Sequence, residues 1–199
     1  MSERKEIIIS LLNSTNREHI GALINYLQDG DFFEAPASTR FHNSFAEGLA
    51  MHSLGVFCLL EKYWEGFTRA SGFGAITLPV VRENLIIAGL LHDVCKIGAY
   101  IGSSSPYKWN RAQPKGHGLL SLIRIAKYIK MEPIEEMMIR FHMGPYGLFE
   151  FEPGKGEYPL RGDKSKSKEE RYGKSLMNAW YHNPIVKLMY FCDELEMYT

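Results

Sequence analysis

The sequence predicts an all-α protein, a single helical bundle of about seven or eight helices. Apolar residues recur at helical spacing in nearly every segment, and no hairpin signature interrupts them. The chain has 199 residues, 45% of them hydrophobic, which is enough for one good core. We therefore expect one domain over residues 1–199, with residues 1–39 forming a helical extension ahead of a core at residues 40–199.

The charge balance and the cysteines indicate which classes of protein this chain does not resemble. The 23 basic and 23 acidic residues cancel, so the overall charge calls for neither nucleic acid nor an anionic membrane as partner. Cys58, Cys95 and Cys192 form no CxxC pair and lie in apolar segments, where we expect small buried side chains in a reducing compartment. No apolar run is long enough to span a membrane. These features predict a soluble, cytoplasmic protein.

The first three helices follow from periodicity and capping signals. We expect two short amphipathic helices, from about Glu3 to Leu12 and from Asn16 to Gln28. Ser44 followed by Glu47 reads as a capping box, which would start a helix that runs to about Arg69. That helix places His52 on its apolar face, where the imidazole is either satisfied by a structural hydrogen bond or bound to a metal.

The next helix leads into the most informative stretch of the chain. It should begin at Pro79, carry an apolar run into His92 and Asp93, and stop at Gly98. A buried carboxylate beside an imidazole needs a hydrogen-bonding partner or a cation. Lys96 follows Asp93 by three residues, so its ammonium either pairs with that carboxylate or binds an anion there.

A loop-like stretch follows between Ala99 and Gly116. It carries Lys108, Trp109 and Arg111, a mixture of basic and aromatic side chains that could stack on a base and bind phosphate. The same mixture also occurs in plain surface loops.

Two more histidines and an aspartate stand at the ends or in the middle of later helices. His117 opens one helix, and the next, which starts at Pro133, reaches His142 near its end. After a polar stretch at residues 150–174 that reads as a solvated loop, Asn183 and Pro184 start an apolar helix that contains Asp193.

Together these side chains form a candidate metal-binding set. Nitrogen and oxygen ligands without thiolates suit Mn, Fe, Zn, Ni or Co, and are typical of hydrolytic sites. The set comprises His52, His92, Asp93, His117, His142 and Asp193.

The order of these residues resembles the HD superfamily of metal-dependent phosphohydrolases. The segments around His42 to Leu54, Ala88 to Ile97, Gly116 to Gly118, Ile139 to Gly144 and Met189 to Leu195 look most like the HD domain of YhaM-type 3′-5′ exoribonucleases. The similarity runs from about Arg40 to the C-terminus, without the OB domain that usually precedes it in those enzymes. The usual double histidine is reduced to His142, which stands between Phe141 and Met143.

The resemblance implies a site with one or two divalent ions. One ion would be held by His52, His92, Asp93 and Asp193, and a second would share Asp93 and use His117 and His142. Asp93 and Lys96 would be the catalytic residues, and a metal-activated water would break the phosphoester bond. Lys96 would also bind the substrate phosphate, and the remaining candidate substrate-binding residues are Arg140, Lys108, Trp109 and Arg111.

The leading hypothesis is therefore a metal-dependent phosphohydrolase, a phosphodiesterase or nucleotidase. Its substrate would be a small nucleotide or a nucleic-acid 3′ end, and the sequence leaves the oligomeric state open. An alternative is an inactive or weak HD module that binds a metal and a nucleotide as a sensor. A third reading, in which structural hydrogen bonds satisfy the buried groups, predicts no metal at all.

Overall fold

The computed structural model describes residues 2–70, 79–114, 116–146 and 174–198. Within these ranges it contains eight α-helices and one two-stranded ribbon, which confirms the all-α prediction. The helices are α1 (Glu3–Ser14), α2 (Ile20–Asp29), α3 (Gly48–Ala70), α4 (Arg82–Leu91), α5 (His117–Ile125), α6 (Pro133–Arg140), α7 (Lys174–His182) and α8 (Pro184–Glu196). The expected solvated loop lies outside the described residues up to position 173, and α7 begins where that loop was expected to end.

The expectation of a helix start at Ser44 is wrong. Helix α3 begins at Gly48, where an added Cβ would lie 2.0 Å from the backbone oxygen of Asn43. Only glycine fits this close turn of the chain into the helix. The Ser44 hydroxyl lies 3.0 Å from that of Ser105, and Glu47 accepts a hydrogen bond from Arg4 at 2.9 Å, so neither caps the helix.

Helix α4 is shorter at both ends than expected. It begins at Arg82, where the Asn84 side chain accepts the backbone N–H of Val81 at 2.8 Å, and it ends at Leu91. His92 and Asp93 follow, and a single 3₁₀ turn at Val94–Lys96 replaces the predicted last helical turns. The His-Asp pair thus lies beyond the helix, at its C-terminal end.

The stretch that was expected to be a loop contains a short antiparallel ribbon. Strand β1 (Tyr100–Ile101) pairs with β2 (Lys108–Trp109), with Tyr100 opposite Trp109. The two rings pack edge to face with their centroids 5.6 Å apart. Strands of two residues are too short to show the alternation by which a strand is recognised in a sequence.

Helix α3 lies at the centre of the bundle and packs against α4 and α8. Its approach to α4 depends on Gly89, where an added Cβ would lie 2.8 Å from the Cα of Phe57. The apolar core is continuous with the N-terminal helices, since Ile8 of α1 and Leu23 of α2 are fully buried in the same cluster. The division into an extension and a core after residue 39 stays a prediction.

A buried ionic network ties three parts of the bundle together away from the candidate site. The Glu135 carboxylate of α6 is fully buried and accepts hydrogen bonds from Arg17 at 2.5 Å and from Asn84 at 2.9 Å. Its second oxygen accepts the backbone N–H of Glu132 at 2.7 Å. The network joins the α1–α2 connection, α4 and the start of α6.

The structure bears on two predictions made from composition, the absence of a membrane span and the burial of the three cysteines. Among the described residues no helix is both long enough and apolar enough to cross a bilayer. Cys95 and Cys192 are buried as expected, but Cys58 is exposed, so the expectation is wrong for that residue.

Candidate metal centre

Four elements bring the predicted histidines and aspartates together in the middle of the bundle. His52 projects from α3, His92 and Asp93 follow α4, His142 follows α6, and Asp193 projects from α8. The five residues are buried, none more than 8% exposed. They contact one another although up to 141 positions separate them in the sequence.

The distances within this cluster are those of ligands around a common ion. His52 Nε2 lies 3.0 Å from Asp193 Oδ1 and 3.2 Å from His92 Nε2, and His92 Nε2 lies 3.4 Å from Asp193 Oδ1. Ligand atoms bound about 2.1 Å from one ion lie about 3.0 to 3.4 Å apart in octahedral or tetrahedral geometry. The residues present therefore fit a divalent metal.

Backbone and side-chain acceptors orient the three imidazoles. The Nδ1 atom of His92 contacts the carbonyl of Gly89 at 2.9 Å, and that of His142 contacts the carbonyl of Ile139 at 2.7 Å. The Nδ1 atom of His52 contacts the Glu196 carboxylate. Such contacts place the hydrogen on Nδ1 and turn Nε2 toward the cluster, as in proteins whose histidines ligate metals.

In the absence of a metal, the pKa of His52 favours a proton on its imidazole. Burial alone would lower the pKa of His52, but hydrogen bonds to Asp193 and Glu196 outweigh it and raise this pKa to about 9. The Asp193 pKa is held far below its usual range, because the two imidazoles outweigh the effect of burial. These pKa shifts favour an imidazolium at His52 between the carboxylates of Asp193 and Glu196, and a metal bound at Nε2 would displace one proton.

Metal affinity should therefore rise with pH. Below about pH 9 the proton on His52 competes with the metal, so affinity should increase by about tenfold per pH unit and level off above pH 9. Competition with a chromophoric chelator at pH 6.5, 7.5 and 8.5 measures this slope. An affinity that stays constant over this range would contradict the displaced proton.

Glu196 is a residue of the site that sequence analysis missed. Besides contacting His52, its carboxylate accepts two hydrogen bonds from the Asn43 amide, at 3.1 and 3.3 Å. The side chain packs over Gly55, where an added Cβ would lie 2.7 Å from Glu196 Cγ. Its one sequence signal was an acidic residue three positions after Asp193, on the same face of an apolar helix.

Removing this carboxylate should weaken metal binding. We expect Glu196→Ala to lower metal affinity by about 10- to 100-fold, because His52 loses the acceptor that fixes its tautomer. Glu194 is half-buried and lines the cavity at the cluster, so the exposed position Glu65→Ala serves as the control in the same competition titration. Unchanged affinity in Glu196→Ala would contradict an orienting role.

Asp93 faces two groups of side chains through its two oxygens. Oδ2 lies 3.5 Å from His92 Nε2, 3.6 Å from His52 Nε2 and 2.5 Å from the Lys96 ammonium. Oδ1 lies 3.6 Å from His142 Nε2. Burial would raise the pKa of Asp93, but Lys96 and His92 hold it well below its usual range, so the carboxylate stays ionised.

His117 lies on the far side of Asp93. It is half-buried at the start of α5, and its Nδ1 lies 3.4 Å from the Cys95 thiol. Asp93, Cys95 and His117 offer three ligand atoms within 4.8 Å of one another, as do His92, Asp93 and His142. The structure thus brings the other five predicted ligands close to Asp93 and adds a thiol that sequence analysis had treated as apolar.

A cavity of about 280 Å³ opens onto this cluster. Lys96, Trp109 and His117 line it, together with the aromatic side chains of Tyr100, Tyr146 and Tyr190. His42 also lines it, and burial together with the charge of Lys96 lowers the pKa of His42 to about 4. The cavity therefore presents a neutral imidazole, one ammonium and several rings next to the ligand cluster.

The other predicted substrate-binding residues do not line this cavity. Lys108 and Arg111 are exposed on and after β2, and Arg140 is half-buried with its guanidinium over the ring of Phe141. Of the loop residues singled out by sequence, only Trp109 reaches the cavity.

Comparison with known proteins finds a distant relative. Over 144 residues the chain is 26% identical to the 3′-5′ exoribonuclease YhaM of Listeria innocua, a match that covers 71% of this chain and 42% of that protein. The chain thus spans less than half the length of that relative. No family model matches the chain, and no solved structure matches it.

Proposed function

We propose that this protein is a metal-dependent phosphohydrolase of the HD type that cleaves a phosphoester of a nucleotide or nucleic acid. One observation carries the proposal: the buried cluster of His52, His92, Asp93 and Asp193 lies at a cavity that also contains Lys96. The distant likeness to an exoribonuclease supports the same reaction class.

In this proposal the cluster holds one or two divalent ions. His52, His92, Asp93 and Asp193 hold the first, and Asp93 shares a second with His117 and His142. Nitrogen and oxygen donors of this kind suit Mn, Fe, Ni, Co or Zn. Bound there, the metal supplies polarisation of the phosphoryl group and a lowered pKa for the attacking water.

The Lys96 ammonium provides a positive charge at the wall of the cavity. Burial would lower its pKa, but the Asp93 carboxylate 2.5 Å away raises it, so the ammonium keeps its proton. We propose that it binds a phosphate oxygen and holds the phosphoryl group against Asp93 and its neighbours. An ammonium in this position steadies the charge that develops during displacement.

The cavity sets the size of the group that is bound. At about 280 Å³ it lies just below the usual range of ligand-binding cavities, about 300 to 1,000 Å³, which supports a bound group no larger than one nucleotide unit. Trp109 and Tyr100 at its wall offer ring faces and edges to a base. This supports a substrate that enters as a free nucleotide or as the 3′ end of a strand.

Lys108, Arg111 and Arg140 would act only on a substrate that extends beyond the cavity. We expect the double change Lys108→Ala and Arg111→Ala to raise KM for a short oligonucleotide by about tenfold at low salt, since each exposed cation would contact a phosphate. The KM for p-nitrophenyl phosphate should change much less, because this small substrate would not extend from the cavity to Lys108 or Arg111. Equal effects on both substrates would contradict the strand contacts.

The test of the function combines metal analysis with turnover. Protein purified without chelator is analysed for metal and then assayed with Mn²⁺ on bis(p-nitrophenyl) phosphate, p-nitrophenyl phosphate, nucleotides and short oligonucleotides. Chelator-stripped protein and the same protein reloaded with Mn²⁺ are the matched controls. We expect near-stoichiometric metal and turnover that is lost on stripping and restored on reloading.

Each other outcome decides against the proposal. Metal without turnover on any substrate would favour the sensor module that binds a metal and a nucleotide. The absence of bound metal even after loading would overturn both and favour structural hydrogen bonds alone.

The ester that is hydrolysed faster separates a phosphodiesterase from a nucleotidase. We propose the cytoplasm as the site of action, where three unpaired cysteines stay reduced.

A further inference from the structure

A thiol lies among the polar atoms on the Oδ1 side of Asp93. Cys95 Sγ is 3.4 Å from His117 Nδ1 and 3.9 Å from Asp93 Oδ1. Cys95 is 3% exposed, on the 3₁₀ turn that follows the His-Asp pair. Its backbone N–H donates to the Ser121 hydroxyl of α5 at 3.1 Å, which fixes this turn against the helix that carries His117.

A second buried group points to the same side of Asp93. His142 Nε2 lies 3.6 Å from Asp93 Oδ1 and has no hydrogen-bond partner among the residues that the structure describes. Its ring is fully buried, and its Nδ1 is already engaged by the carbonyl of Ile139. A buried nitrogen with its lone pair turned toward a carboxylate oxygen is stable only if a cation or proton lies between them.

The spacing of the thiol also suits a metal. A sulfur bound at about 2.3 Å and an imidazole nitrogen bound at about 2.1 Å to one tetrahedral ion lie about 3.6 Å apart. The observed separation of Cys95 Sγ from His117 Nδ1 is 3.4 Å. Asp93 Oδ1 completes a set of three donors, all within 4.8 Å of one another.

We propose that Cys95 is a thiolate ligand of the second metal position, which it shares with Asp93 Oδ1 and His117 Nδ1. The proposal rests on the proposed function, because it assigns a ligand to the same centre. On binding, the metal–sulfur bond replaces the S–H bond and the proton leaves to solvent. His142 Nε2 faces the same oxygen of Asp93 at 3.6 Å, so it lies within reach of this position as well.

A thiolate changes which metals this position selects. Sulfur ligands favour Zn²⁺, Co²⁺ and Fe²⁺, whereas a set of carboxylates and imidazoles also accepts Mn²⁺. The two positions would therefore differ in kind: nitrogen and oxygen donors at the His52 side of Asp93, and a sulfur donor at the His117 side. A softer metal at the second position should bind more tightly than Mn²⁺ there.

Cobalt distinguishes these positions without an activity assay. Chelator-stripped protein is titrated with Co²⁺ while the visible bands of the ion and the near-ultraviolet sulfur-to-cobalt charge-transfer band are recorded. We expect the visible bands to appear with the first equivalent and the charge-transfer band with the second. In Cys95→Ser the charge-transfer band should vanish, and affinity for the second equivalent should fall by at least about tenfold.

Control variants assign the band to one thiol. Cys58→Ser and Cys192→Ser should each retain it, and the variant with both changes keeps Cys95 as its single cysteine and should retain it too. That double variant decides the question even if Cys95→Ser fails to fold. A band that persists in Cys95→Ser, or one lost in Cys192→Ser alone, would overturn the assignment.

The failure of the proposal and that of the metal centre give different results. Visible cobalt bands without a charge-transfer band in the native protein would overturn the role of Cys95 and leave the first position intact. If no cobalt binds at all, the metal centre itself is overturned, and the proposed function with it.

Discussion

Replacing Asp93 with asparagine should lower turnover by about 10³-fold or more and strip the protein of metal. Both oxygens of Asp93 face metal-ligand candidates, with His92 Nε2 3.5 Å from one and His142 Nε2 3.6 Å from the other. A metal supplies several kcal/mol of transition-state stabilisation, and about 4 kcal/mol corresponds to 10³-fold in rate. The measurement is kcat with Mn²⁺, beside metal content.

The same change also leaves the Lys96 ammonium without its carboxylate. Lys96 is 8% exposed, so burial would favour its neutral form once the charge of Asp93 is removed. Asp29→Asn at an exposed position is the matched control and should keep native kcat. Thermal unfolding shows whether Asp93→Asn is folded. A folded variant with more than about a tenth of native kcat would contradict a central role for this carboxylate.

Glu135→Ala should destabilise the fold by about 3 kcal/mol, because it leaves Arg17 and Asn84 without their shared buried acceptor. Arg17 keeps a hydrogen bond to the carbonyl of Lys130 at 3.3 Å and longer contacts to Glu132 at 3.7 Å and Glu83 at 4.0 Å, and its side chain is 15% exposed. In a protein of this size each kcal/mol lowers Tm by about 2 to 4 °C, so the expected fall is about 6 to 12 °C.

The neighbouring Glu136 provides the control for this prediction. It is exposed on the same helix, so Glu136→Ala should change the free energy of unfolding by no more than about 0.5 kcal/mol. Urea denaturation of both variants measures the difference. Equal stability in the two variants would mean that the buried network around Glu135 contributes nothing to the fold.

The candidate cluster could be predicted because polar residues in apolar helices are conspicuous. His52, the His92–Asp93 pair and Asp193 each interrupt an apolar run, and burial demands a partner for such groups. The backbone acceptors that orient His92 and His142 could not be predicted, because every residue has a carbonyl and the sequence does not show which one lies nearby. The position of Cys95 beside His117 was missed because a thiol in an apolar run is usually only a small hydrophobe.

The fold class was predictable for a similar reason, and its local details were not. Helical periodicity over long segments predicts the bundle, but the start of α3 depends on the space around Gly48, which is a tertiary property. The ribbon at Tyr100 and Trp109 consists of two-residue strands whose pairing no alternation pattern reveals. Element boundaries are decided by such contacts and not by propensity.

The close approach of α3 and α4 at Gly89 leaves no room for a side chain at that position. Gly89 sets the distance between two helices through its missing side chain, and its carbonyl orients His92. Part of the cavity wall comes from other parts of the chain, among them Thr39 and Met197, which take no part in the candidate cluster. Substitutions at those positions would therefore alter the cavity wall and leave the cluster in place. Any side chain at position 89 would instead force α3 and α4 apart and displace His52 relative to His92.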